Sequence, residues 1–93
     1  YSDYRDMLAA ELPDLVSICP HHFKHHGRWL LEVIESGAKG IYIEKPITAS
    51  LDEADAVVAA AESAGTKIAV AHQNRYRPGI LHVKHLVQDG AVG

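Results

Sequence analysis

The chain holds a single cysteine, Cys19, so an internal disulfide is excluded and nothing in the sequence calls for an oxidising compartment. Long apolar runs are missing too. None approaches the roughly 20 residues that cross a bilayer, and the opening "YSDYRDMLAAE" is polar instead of signal-like. No membrane partner is expected, and a cytoplasmic setting fits. An excess of basic charge is also lacking: a net charge of −3 with scattered Lys and Arg gives no footprint for a phosphate backbone, so nucleic acid is not an expected partner. Nor does any stretch show G-x-G-x-x-G between a strand and a helix, so a pyrophosphate cradle of that type is not encoded here.

What is present reads as an ordinary globular composition, 47% hydrophobic and 23% charged over 93 residues. A chain of this length makes one small domain, burying roughly 60–65% of the surface its unfolded form exposes. It opens on Tyr1 instead of methionine, and the expectation is that it belongs to a longer polypeptide.

Three short, nearly continuous apolar runs carry β-branched residues: "DLVSIC" (Asp14 to Cys19), "GIYIE" (Gly40 to Glu44) and "KIAVA" (Lys67 to Ala71). This is the signature of strands buried on both faces. Each run precedes a helical stretch. In "GRWLLEVIESG", Trp29, Leu30, Val33 and Ile34 form one stripe and Gly37 supplies a stop. In "SLDEADAVVAAAESAG", Ser50 and Glu53 make a capping box, Leu51, Ala54, Val57, Val58 and Ala61 share a side, and Gly65 closes the helix. In "PGILHVKHLVQDG", Ile80, Val83, Leu86 and Val87 lie on one face, flanked by His82 and His85. A further helix, "SDYRDMLAAEL", ends before Pro13. Strands alternating with helices predict an α/β fold with a parallel sheet of about three strands, joined by right-handed crossovers and flanked by helices. In such sheets ligands bind beyond the carboxyl ends of the strands. The segments to read for chemistry are therefore "PHHFKHH", "EKPITAS" and "HQNRYRP".

Lys45 stands where the second strand runs out, because Pro46 lacks a backbone donor and pushes its predecessor into an extended form. A lysine so placed offers a point charge or a hydrogen bond to an alkoxide or carbonyl oxygen. Taken alone, Lys-Pro is better explained as a solvated loop lysine. The four histidines of "HHFKHH", His21, His22, His25 and His26, raise the question of a metal, since imidazoles three or four residues apart can face one ion. No Cys, Asp or Glu lies among them and Lys24 adds a repelling charge, so a polar turn with exposed imidazoles is the favoured reading and no metal is expected. Cys19 reads as a small apolar residue at a strand end, not a nucleophile.

The stretch "PDLVSIC…LEVIESGAKGIYIEKPITASLDEADAVVAAAESAGTKIAVAHQNRYRP" resembles the second half of the nucleotide-binding domain in the Gfo/Idh/MocA oxidoreductases. The resemblance rests on Gly37, Glu44-Lys45-Pro46, the Ser50 cap with "LDEAD", and Arg75-Tyr76-Arg77-Pro78. It implies a partial Rossmann-like three-layer fold over residues 1–93, without the first βαβ unit and the substrate domain. It also implies NAD or NADP as cofactor, and hydride transfer to or from a hydroxyl or carbonyl carbon of a sugar, inositol or related polyol. Lys45 would hydrogen-bond the reacting oxygen as the catalytic residue. The cofactor side would be lined by Pro20, His26, Glu44, Pro46, His72, Arg75 and Tyr76. Cys19-Pro20 and His26 match the family's loop approximately, with a residue or two extra, and a plain turn role for His72 stays open. The family's pyrophosphate site, its paired Asp and His for proton transfer, and the selector between NAD and NADP all lie outside this sequence.

One physical consequence concerns the strand at 14–19, which stands without the neighbour it has in the full strand order. An apolar open edge invites pairing, so a homo-oligomer through this strand, aggregation, or membership of a longer chain is expected. The alternatives to an enzyme are a non-catalytic, self-associating half-Rossmann module and a histidine-loop metal-binding protein.

Overall fold

The structure is a computed structural model and describes residues 1–92. Its elements are α1 (Tyr4–Glu11), β1 (Leu15–Ile18), a 3-10 turn (Phe23–His25), α2 (His26–Glu35), β2 (Gly40–Ile43), α3 (Leu51–Ala64), β3 (Lys67–Val70), a second 3-10 turn (Gln73–Tyr76) and α4 (Pro78–Gln88). The expected α/β order is present, with strands one or two residues shorter than their apolar runs. All three strands are parallel, in the order β1-β2-β3.

Local chemistry sets the helix limits. Asp3 accepts from the Arg5 amide at the start of α1, and Ser50 Oγ accepts from the Glu53 amide at 3.2 Å at the start of α3. The other half of the expected capping box is displaced by one residue: Glu53 Oε2 accepts from the Ala49 amide at 3.0 Å. Gly65 closes α3 in the left-handed conformation, φ 74°, a geometry that needs no Cβ to be accommodated. At the end of α1 the same role falls to Leu12, with φ 44°.

The parallel register places Val16, Ile18, Ile41, Ile43, Ile68 and Val70 on one face of the sheet. That face carries the core, in which Leu30, Val33 and Ile34 of α2 and Val57 and Ala61 of α3 are buried against Ile18, Ile41 and Ile43, with Leu8 of α1 alongside. The other face, bearing Leu15, Ser17, Tyr42, Lys67 and Ala69, is exposed. The expectation of strands buried on both faces is therefore corrected for this chain: the described residues supply the sheet and one helical layer.

Two apolar stripes also differ from the sequence reading. On α3, Leu51 and Val58 are exposed while Val57 and Ala61 are buried. At about 100° per residue, Val58 and Leu51 lie on the flank of the arc that faces the sheet. On α4 no residue is buried, and Ile80, Val83 and Val87 are each about half exposed. The helix extends from the second 3-10 turn, its one substantial neighbour, so His82 and His85 flank no buried stripe.

Candidate active-site edge

Ile18, Ile43 and Val70 stand side by side at the carboxyl ends of the strands. Hydrogen bonds from the Glu44 amide to Ile18 O (3.1 Å) and from the Ala71 amide to Ile43 O (2.8 Å) carry the pairing one step further. The segments beginning at Cys19, Glu44 and Ala71 therefore leave the sheet at one level. This brings Pro20, Glu44, Lys45, Pro46 and His72 to one edge, with Arg75 and Tyr76 following in the second 3-10 turn.

Lys45 is exposed at the end of the central strand, Glu44 is half-buried beside it, and Pro46 is exposed. On the third loop His72, Arg75 and Tyr76 are exposed. The Arg75 guanidinium lies 5.8 Å from the Tyr76 ring centroid, within the range of a cation–π contact. The edge thus presents the Lys45 ammonium, the Arg75 guanidinium, the Glu44 carboxyl group, the His72 imidazole and the Tyr76 phenol ring, a set suited to holding an oxygen-rich ligand.

His26 differs from the rest. Sequence reading places it on the cofactor side, but the structure buries it to 1% exposure. Its Nδ1 lies 2.6 Å from the carbonyl oxygen of Pro46. Its contact is with the loop that carries Lys45, and its ring faces no solvent from which a ligand would approach.

The remaining imidazoles of the cluster have separate surroundings. His21 and His22 pack edge to face at 4.7 Å, and His25 packs against Trp29 at 5.6 Å. Among the described residues, no three His, Cys, Asp or Glu side chains converge as a metal site. Cys19, read from sequence as a small apolar residue at a strand end, is exposed there with its sulfur 3.1 Å from Ser17 Oγ. An apolar cavity of about 230 Å³ lies between α1, β1 and α2, lined by Tyr4, Met7, Ile18, Cys19, Trp29 and Val33 among others. None of the edge residues except Pro20 borders it, so this cavity is separate from the edge that carries Lys45.

Thr48 is a loop residue the sequence reading passed over. It is buried and its hydroxyl donates to the Ser50 carbonyl at 2.8 Å, which braces the chain just ahead of α3. A threonine between a turn proline and a capping serine is the signal that marks it.

A parallel sheet with loops of this chemistry at its carboxyl edge and returning helices on one face defines one part of a nucleotide-binding α/β domain. The chain belongs to the Gfo/Idh/MocA oxidoreductases: the model of that family, described as an oxidoreductase family with an NAD-binding Rossmann fold, matches residues 1–72. It is 36% identical over 93 residues to the D-apiose dehydrogenase of Paraburkholderia graminis, covering 100% of this chain and 24% of that protein. It is 34% identical over 92 residues to the uncharacterized oxidoreductase YrbE of Bacillus subtilis, covering 99% of this chain and 26% of that protein. Among solved structures, an NAD binding oxidoreductase from Klebsiella pneumoniae superposes with a TM-score of 0.78 at 29% identity, over 100% of this chain and 24% of that one. The chain therefore spans about a quarter of the length of the curated relatives it matches. Among the described residues, no helix is long and apolar enough to cross a membrane.

Proposed function

We propose that residues 1–93 act as the second half of an NAD- or NADP-binding domain, and that the carboxyl edge of the sheet forms one wall of an oxidoreductase active site. The reaction is hydride transfer at a hydroxyl or carbonyl carbon of a sugar, inositol or related polyol. The relative named for D-apiose supports a sugar-like substrate. The observation that carries the reading is the position of Lys45, exposed at the end of the central strand in the loop Glu44-Lys45-Pro46.

The residues present fit one side of a dinucleotide. Pro20, Glu44, Pro46, His72, Arg75 and Tyr76 lie along the edge beyond the strand ends, where such ligands sit in parallel sheets. When bound, the dinucleotide supplies the hydride donor or acceptor. The Lys45 ammonium holds the reacting oxygen of the substrate and stabilises the negative charge that develops on it. Such an interaction is stronger in the transition state than in the ground state, which is what raises turnover. Glu44, next to it in the chain, accepts from a hydroxyl of the nicotinamide ribose.

The test is Lys45→Met in the full-length polypeptide. Turnover is expected to fall by about 10²–10³-fold, the magnitude of a lost charge-stabilising donor, with dinucleotide affinity changed by less than about threefold. An unchanged kcat would remove Lys45 from the mechanism and this reading with it.

A second reading, self-association through β1, is favoured by the open sheet. β1 pairs only with β2 among the described residues, and Leu15 on the open face is 77% exposed. Sedimentation equilibrium is expected to show a dimer or larger species at low micromolar concentration, and a monomer would dismiss this route.

A further inference from the structure

Four side chains are buried to less than 2% exposure and are the largest so enclosed: Leu30, Ile43, Val57 and His26. Three are aliphatic and one is an imidazole. A carbonyl oxygen only accepts, so the contact from Nδ1 to Pro46 O requires a proton on Nδ1. Nε2 is buried and has no hydrogen-bond partner among the described residues. A leucine would fill this volume without an unpaired nitrogen. What the imidazole adds over an aliphatic side chain is therefore the bond to Pro46, and burying the second nitrogen is unfavourable.

The place of that bond along the chain gives it a purpose. Upstream of Lys45, the last main-chain anchor is the Glu44 amide on Ile18 O at 3.1 Å. Downstream, the chain is secured by Thr48 Oγ1 on Ser50 O at 2.8 Å and by the Ala49 amide on Glu53 Oε2 at 3.0 Å. Residues 45–47 stand between these anchors. Among the described residues, His26 makes the one hydrogen bond to that stretch. The donor comes from the first residue of α2, in a different crossover of the sheet.

We propose that His26 is a positioning residue for Lys45: its Nδ1–H holds the Pro46 carbonyl and so fixes the turn that presents the ammonium to the reacting oxygen. The inference rests on the role given to Lys45 above. A misplacement of about 1 Å at a reacting group is enough to lower turnover by about 10²-fold, so a single bond at the neighbouring peptide unit has leverage on the rate.

The experiment compares His26→Leu, His26→Asn and His26→Gln in the full-length polypeptide, with dinucleotide binding, KM and kcat measured separately. An asparagine amide lies near the position of Nδ1 and replaces that donor; a glutamine amide lies near Nε2 and does not. His26→Leu and His26→Gln are expected to lower kcat by about 10–100-fold with dinucleotide affinity held within about threefold, and His26→Asn to recover most of the loss. Nitrogen-15 spectra of the unsubstituted protein should show His26 with a proton on Nδ1. Equal activity of all three variants would overturn the proposal, and so would an Nδ1 without a proton. Should His26→Leu fail to fold, the contrast of Asn with Gln and the Nδ1 proton decide the matter. Lys45→Met distinguishes the two levels: if it leaves kcat unchanged the role of Lys45 is wrong and this inference falls with it, whereas if it abolishes turnover while His26→Leu does not alter it, the positioning role alone is wrong.

Discussion

Gly27 and Glu53 meet where α2 and α3 pack together, and the contact is tight for a methyl group. A Cβ built on Gly27 would stand 3.1 Å from Glu53 Oε2 and 3.2 Å from Glu53 Cβ. Glu53 also accepts from the Ala49 amide, so the approach of the two helices governs the loop that follows Lys45.

Gly27→Ala should therefore destabilise the fold, even though alanine is the better helix former by about 1 kcal/mol. The crowding acts on Glu53 Cβ as well as on its flexible carboxyl end, and overpacking of this kind costs about 1–3 kcal/mol. A net loss of about 1 kcal/mol is expected from urea unfolding. A stabilised variant would show that Glu53 moves aside freely.

Glu32 sets the acid limit of the α1–α2 contact. The Tyr4 hydroxyl donates to it, and the Arg5 and Arg28 guanidinium groups lie at 3.0 Å and 2.9 Å, holding its pKa at about 2, below the usual 4.5, against the opposing effect of burial. A carboxylate whose pKa is lowered by folding contributes stability that is present above about pH 4.5 and is lost as pH falls toward about 2. Its arginine partners are exposed, so about 1 kcal/mol is expected after solvent screening. Glu32→Gln should flatten the stability curve over that window, and Tyr4→Phe, which removes the largest contribution, should shift the loss to higher pH. A Glu32→Gln curve parallel to that of the unsubstituted protein would refute the assignment.

Leu12→Gly should stabilise the chain. Leu12 ends α1 in the left-handed conformation, at φ 44° and ψ 55°, which is unfavourable by about 1–2 kcal/mol for a side chain bearing a Cβ. The side chain is 71% exposed, so little packing is lost. A gain of about 0.5 kcal/mol in thermal unfolding is expected, reduced from the full strain by the added freedom of glycine in the unfolded chain. A loss of stability would show that Leu12 packs in solution.

Ile43→Ala should cost about 2–5 kcal/mol, the range for a fully buried aliphatic truncation. Ile43 is 0% exposed and lies at the end of the central strand, two residues before Lys45. Loss of stability should be accompanied by faster exchange of the Glu44 and Ala71 amides, which are bonded to Ile18 O and Ile43 O, an effect that a change confined to the far end of the core would not produce.

Much of this architecture is legible in the residues. The strand runs, the Ser50 cap and the glycine stops at positions 37 and 65 all act locally, and the cap and stops have the side-chain bond or positive φ that their chemistry suggests. The carboxyl edge follows from strand order alone, so Lys45 and His72 could be placed without coordinates. What sequence does not reveal is which face of a sheet is covered. Leu15 and Val16 are equally apolar, and only the parallel register shows that Val16 faces the helices and Leu15 does not. His26 is ambiguous for the same reason: a histidine at a strand-to-helix turn looks alike from sequence whether it faces outward or is folded beneath the next loop.

The detachment of α4 has a kinematic meaning. An 11-residue helix joined to the rest mainly through the turn before it behaves as an arm of about 16 Å. Pro78 fixes its own φ, so the heading of the arm depends chiefly on the ψ angle of Arg77, 135° here. A rotation of about 10° at that bond would sweep the far end by roughly 3 Å over the length given by the helical rise. The Arg75-Tyr76 turn at the pivot is also part of the proposed cofactor edge. A small movement at this pivot thus becomes a large one at the tip of α4.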